Sequence, residues 1–271
     1  MTMMAVDVQG LLRVWEEQQH AHPVRRALHL LAQACPEPGW DGWLHAPIGT
    51  RDAALLALQR RLFGGSLQTT SACRHCGERL EAAFDVDDVR ASRAAETPDN
   101  APPWRLQQHD YAIDYRLPTS DDLLQLTARH DADADADADA DAGAGADAAV
   151  AADAQTAARL LMQRCVSAAR RAGDPVDVAA LPDAVVDTLG AAIARRDPDA
   201  DVRITLACPA CGRESQLHFD IVSYVWSELD DWAQRLLADV HVLARAYGWS
   251  EASILALSPA RRALYLEMVA A

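Results

Sequence analysis

No lysine occurs in this 271-residue chain; all 25 basic residues are arginine. That absence excludes a phosphate-binding P-loop, whose lysine must reach the β- and γ-phosphates. Combined with a formal net charge of −15, it also argues against non-specific binding to nucleic acid, which relies on clustered cations. No stretch of about 18 uninterrupted apolar residues is present to make a membrane span. The opening Met1-Thr2-Met3-Met4-Ala5-Val6-Asp7 lacks the charged and apolar regions of a signal peptide. GxGxxG, HExxH and GxSxG motifs are missing too, and the nine histidines form no cluster at ligand spacing. His20, His22, His29 and His45 read as surface or capping residues. These absences describe a soluble cytoplasmic protein that is not an enzyme, while a hydrophobic content of 50% supplies material for a sizeable core.

What the chain does have is six cysteines, four of them in two CxxCG turns: Cys73-Arg74-His75-Cys76-Gly77 and Cys208-Pro209-Ala210-Cys211-Gly212. The glycine after each pair suits the positive φ of a tight turn. Each turn lies between strand-like runs, residues 66–72 and 80–86 for the first, 202–206 and 216–221 for the second. Two thiols on a tight turn are half of a tetrahedral zinc site, so Cys73, Cys76, Cys208 and Cys211 are expected to share one structural Zn²⁺ per chain. The intervening loop, residues 77–207, is far longer than in ordinary zinc ribbons. Closure entropy grows only as the logarithm of length, so this costs roughly 2 kcal/mol extra, against on the order of 10 kcal/mol from structural zinc. The rival reading is a pair of redox dithiols, but such dithiols open helices, and both of these lead back into strands. His75, between two ligands, is expected to point outward, because four thiolates already complete the shell. Cys35 and Cys165 stand alone in apolar surroundings and read as buried structural thiols.

Apolar periodicity predicts helices over 6–19 and from Pro23 to about Cys35, a turn carrying Trp40 and Trp43, and a helix capped by Thr50 that ends at Gly64-Gly65. After the first knuckle, 94–104 reads as a loop and Tyr111–Leu117 as a half-buried strand. Ser120 is the expected cap of the next helix. Residues 131–149 carry seven aspartates and no basic residue, an Asp-Ala repeat that reads as a self-repelling linker rather than a calcium loop. Helical spacing resumes at Thr156, with Leu160, Leu161, Val166 and Ala169 on one face and Arg159, Arg164, Arg170 and Arg171 on the other. A shorter helix spans 182–195. The longest helix is predicted over 222–247 and stopped by Gly248; two short helices follow, with Ser250 capping the first and Ser258-Pro259 starting the second.

The C-terminal run from Ala246-Tyr247-Gly248-Trp249-Ser250-Glu251 through Leu255-Ala256-Leu257-Ser258-Pro259-Ala260-Arg261-Arg262 resembles the ending of the T4-type phage baseplate protein family. Those proteins are also described as baseplate hub assembly chaperones, with relatives in contractile injection systems and prophages. Trp226-Ser227-Glu228-Leu229, Arg235-Leu236-Leu237 and Val240-His241 are similar to the family's long helix. Ile48-Gly49-Thr50-Arg51-Asp52, Leu62-Phe63-Gly64, both CxxCG turns and Leu117-Pro118-Thr119-Ser120-Asp121-Asp122-Leu123 are similar in order and spacing. The likeness spans most of residues 20–269; the Asp-Ala insert and Ala260, where a bulky aromatic is expected, depart from it. The resemblance implies a non-enzymatic assembly factor or minor component of a contractile tail's baseplate or hub. It would bind hub, spike or other tail proteins, in the bacterial host cytoplasm or in the assembled particle.

The fold class expected is α+β, mainly α-helical: a single helical domain over 1–271 built around a small zinc-ribbon-like β element made of the two CxxC knuckles. Its parts are N-terminal helices (1–65), the first knuckle (66–86), a variable middle (87–201), the second knuckle (202–221) and C-terminal helices (222–271). The segment from Trp249 onward, with arginines beside apolar residues, is the expected partner surface. The alternative is a zinc-ribbon nucleic-acid-binding or transcription-associated protein using Arg74, Arg79 and Arg213.

Overall fold

A computed structural model describes residues 7–91, 103–127 and 146–270. The fold is mixed α+β and predominantly helical. Its contacts divide the chain into two compact units: a helical unit within Met1–Trp40 and Asp220–Ala271, and a knuckle unit within Asp41–Phe219.

The helical unit contains α1 (Val8–Gln18), α2 (Pro23–Ala34), α9 (Ile221–Tyr247), α10 (Glu251–Leu255) and α11 (Pro259–Ala270). Helix α9 begins where the Asp220 carboxylate accepts from the backbone N–H groups of Val222 (3.0 Å) and Ser223 (3.2 Å). It stops at Gly248, whose φ of 68° closes the helix in the left-handed region. Between these caps Val222, Val225, Leu229, Ala233, Leu236, Val240 and Leu243 are buried at steps of three and four, a continuous ridge. Helices α1, α2, α10 and α11 all pack on α9. Leu12 joins Ala233 and Leu236 in one apolar cluster, and Trp15 Nε1 donates to Asp230 at 2.8 Å. His22 caps α2, its Nδ1 accepting from Val24 N–H at 3.3 Å. Ser250 Oγ accepts from Ser253 N–H at 3.3 Å to start α10. Cys35 is fully buried.

The knuckle unit holds α4 (Ile48–Leu62), hairpin β1 (Ser66–Ala72) with β2 (Arg79–Asp85), and α5 (Val86–Ala91). A sheet ordered β3 (Trp104–Gln108), β4 (Tyr111–Tyr115), β5 (Val166–Arg171) and β6 (Asp174–Pro175) follows, antiparallel throughout. Helices α6 (120–127), α7 (Ala146–Cys165) and α8 (Asp183–Arg196) accompany it, before the second hairpin, β7 (Arg203–Ala207) with β8 (Glu214–His218). Trp104, Ile113 and Tyr115 of the sheet share a core with Cys165, Leu181, Val185, Leu189 and Ile193. Helix α3 (Gly39–His45) lies where the chain passes from one unit to the other.

Several expectations are corrected. Trp43 sits in a short helix rather than a turn and is buried. Thr50 is inside α4 and exposed; α4 starts at Ile48, where Pro47 offers no side-chain cap. The missing acceptor comes from Asp197, whose Oδ2 accepts from Gly49 N–H at 2.9 Å. Residue 49 must be glycine there, because a Cβ would lie 1.8 Å from Asp197 Oδ1. Ser120 does not cap α6 but is buried, with Arg51 donating to its Oγ at 3.3 Å. Thr119 takes the cap role: Asp122 N–H approaches Thr119 Oγ1 (3.4 Å), while Asp122 Oδ2 accepts from Thr119 N–H (2.9 Å), a reciprocal capping box. Trp104, expected at the end of a loop, opens β3. The helix expected to run from Thr156 past Ala169 ends at Cys165, and Val166–Arg171 pairs with β4 as a strand. An alanine- and arginine-rich run has little intrinsic strand preference, so ladder pairing decides it. The two-residue Ala172-Gly173 turn, with φ of 52° and 99°, returns β5 into β6. The expected loop over 94–102 and residues 131–145 of the Asp-Ala repeat lie outside the described residues; residues 146–149 belong to α7.

Candidate metal centre

The two CxxCG segments form turns of matching geometry at the ends of their hairpins. In the first, Cys73 N–H donates to Glu78 O (2.7 Å) and Gly77 N–H to Cys73 O (2.9 Å). In the second, Cys208 N–H donates to Arg213 O (2.9 Å) and Gly212 N–H to Cys208 O (2.8 Å). Gly77 and Gly212 take φ of 77° and 69°, the positive values that make the turn possible. Outside the turns the strands alternate: Leu80 and Leu217 are buried while Arg79, Glu81, Gln216 and His218 are exposed. Leu80 and Leu206 pack against Cys73 and Cys208. Further along, Phe84 and Phe219 meet edge to face at 5.2 Å.

This arrangement brings Cys73, Cys76, Cys208 and Cys211 together with all four Sγ atoms within 4.8 Å of one another. Cys73 Sγ is 3.8 Å from Cys211 Sγ, and Cys76 Sγ is 3.6 Å from Cys208 Sγ. A disulfide would need about 2.05 Å. A tetrahedral Zn–S length of about 2.3 Å implies sulfur–sulfur edges of about 3.8 Å, so the donor set fits a metal ion such as zinc. Cys73 and Cys208 are buried and Cys76 and Cys211 exposed, so each cross-knuckle contact joins a covered thiol to an open one.

Electrostatics supports the same fit. The backbone N–H groups of His75 and Cys76 hold the Cys73 thiol down, at about 6. At Cys76 the Glu78 backbone pulls the same way, but desolvation and the neighbouring thiols of Cys208, Cys73 and Cys211 outweigh it and push the group up to about 12. One thiolate therefore opposes the next; a proton on the neighbouring thiol relieves that repulsion, and a bound cation would relieve it for all four together. His75 N–H points at Cys73 Sγ (3.4 Å), whereas the ring meets Arg213 Nη1 at 3.4 Å. Arginine can only donate, so His75 Nδ1 accepts, and the imidazole is not one of the clustered donors.

A second polar cluster in the knuckle unit was not anticipated from sequence. The buried Asp122 carboxylate receives both arms of Arg116 (2.6 and 2.8 Å), Arg164 Nε (3.0 Å) and the hydroxyl of Thr119 (2.9 Å). Burial pushes its acidity one way, but the Arg116 fork and the Thr119 backbone and hydroxyl donors win and bring it to about 2. The TSDD run at 119–122 carried the signal, as a capping box, with Arg116 just upstream of it, although Arg164, which completes the cluster, comes from 42 residues away. Cys165, fully buried nearby, is pushed up to about 12 by desolvation and by the Asp122 charge, and so is an inert thiol.

Comparison with protein families, with curated proteins and with solved structures finds no match. Among the described residues, no helix is long and apolar enough to cross a membrane.

Proposed function

We propose that the chain is a non-enzymatic assembly factor or minor structural component of the baseplate or hub of a phage-like contractile tail or injection system. Within it, Cys73, Cys76, Cys208 and Cys211 hold one structural Zn²⁺. Bound there, zinc supplies a cross-link between residues far apart in sequence, and its four-thiolate shell leaves no position for water. The knuckles are accordingly a scaffold, and function lies on helical surfaces.

The observation that carries this reading is the distribution of exposed apolar side chains. Val242, Tyr247, Leu264, Met268 and Val269 are the large hydrophobic residues left open to solvent among the described residues, and all belong to α9 or α11. Tyr247 lies within the C-terminal run that resembles baseplate proteins, and the other four flank that run on either side. Arg261 beside them is exposed, while Arg262, expected to be exposed with it, is buried against Asp239 at 3.6 Å. Apolar side chains beside a charge are the composition of a docking face for another protein.

The test is co-purification of the intact chain with hub and spike proteins, against a chain ending at Gly248 and a Leu264→Glu/Met268→Glu double variant. Retention is expected to fall at least tenfold for both. Undiminished binding by the folded double variant counts against the surface. Salt-sensitive nucleic-acid binding lost on changing Arg74, Arg79 and Arg213 would favour a ribbon regulator instead.

A further inference from the structure

Strand β3 is an edge strand: the sheet order is β3-β4-β5-β6, so β4 pairs with one side of β3 and no strand among the described residues pairs with the other. A cavity of about 310 Å³ is lined by three consecutive β3 residues, Arg105, Leu106 and Gln107, and by Arg195 and Arg196 in the last turn of α8. Three guanidinium groups in one cavity run against the overall charge of −15.

They are not equivalent. Arg105 is neutralised by a two-armed pair with Asp114, at 2.6 and 2.9 Å. Arg196 is positioned and, among the described residues, makes no salt bridge. Its Nε donates to Tyr115 Oη at 2.8 Å, and its guanidinium carbon lies 5.4 Å from the Trp104 ring centre and 6.0 Å from that of Tyr115. Aromatic faces and a hydroxyl orient the fork and leave its charge and terminal N–H groups uncommitted. Arg195 is exposed and, among the described residues, makes no salt bridge. A favourable position at the negative end of α8 accounts for arginines in the last turn, but not for one held by two rings at a cavity wall.

We infer that this cavity binds an extended acidic segment of a partner protein, laid along the free edge of β3 with a carboxylate in the forks of Arg195 and Arg196. An unpaired strand edge offers backbone donors and acceptors to a further strand, and arginine forks match carboxylate geometry. The strand edge favours a peptide over a free anion, which would use the forks and ignore β3. The inference does not depend on the tail-assembly reading.

The experiment titrates the full chain with a blocked octapeptide alternating valine and aspartate, with the same peptide carrying lysine for aspartate, and with inorganic phosphate. The aspartate peptide is expected to bind, more weakly as salt rises, and to slow amide exchange over 104–108. Arg195→Glu should weaken it at least tenfold, and Arg245→Glu, at another exposed arginine, should leave it unchanged. Equal affinity for the lysine peptide, protection away from β3, or indifference to Arg195→Glu overturns the inference. Phosphate binding as tightly as the peptide would make the cavity an anion site and overturn the strand assignment.

Discussion

In the helical unit α1, α2, α10 and α11 lean on one long apolar ridge of α9. The knuckle unit is assembled from smaller pieces: two two-stranded hairpins, a four-stranded sheet that ends in a two-residue strand and shares an apolar core with α8, and helices tied in further by ion pairs. A two-stranded hairpin is marginal in water. Side-chain cross-links are concentrated where local structure is weakest. The thiol cluster brings one hairpin to the other, Asp122 ties α6 to Arg116 and α7, and Asp197 ties the end of α8 to the start of α4.

Removing a metal from the thiol cluster should separate the two units most widely in stability. Chelation or Cys208→Ala is expected to abolish binding of one equivalent of zinc and to cost the knuckle unit on the order of 10 kcal/mol. Amide exchange would rise across both hairpins while the buried stretch of α9 stays protected. A metal-free protein with protected hairpins would sink the zinc assignment. The reverse experiment is Leu243→Ala, which empties a fully buried site on α9. It should cost about 2–5 kcal/mol in the helical unit, read by denaturant melts, and leave zinc stoichiometry unchanged. The smallest effect is electrostatic. Asp122 titrates at about 2 in the folded chain instead of 3.8, so its contribution is complete above about pH 4 and is lost as pH falls through 2. That contribution is about 2 kcal/mol. A pH series on the intact chain should show this slope, and Asp122→Asn should flatten it; an unchanged slope would remove the carboxylate from the account.

The same contrast explains what could be read in advance. Helices α1, α2 and α9 were legible because their ridges repeat every three or four residues and their stops are proline and glycine. The four thiols were legible because CxxCG is a local pattern, and the turns it encodes do the rest. Beyond these, the outcome was set by distant partners. Thr50 has the chemistry of a cap, yet Asp197 supplies the acceptor and moves the helix start to Ile48. Arg170 and Arg171 fit a helix face until β4 offers Ala112 and Tyr111 as ladder partners. The Asp122 cluster and the Arg196 wall each join residues more than 40 positions apart, a separation that no local window spans.

The division of the chain has a consequence for biosynthesis. Helices α1 and α2 belong with α9, but the whole knuckle unit, Asp41–Phe219, is translated between them. At about 5–20 residues per second, the apolar faces of α1 and α2 wait roughly 10–40 s on the ribosome for the ridge that covers them. During that interval the knuckle unit can close first, and if the proposed zinc is what joins its hairpins, zinc supply would set the order in which the protein takes shape.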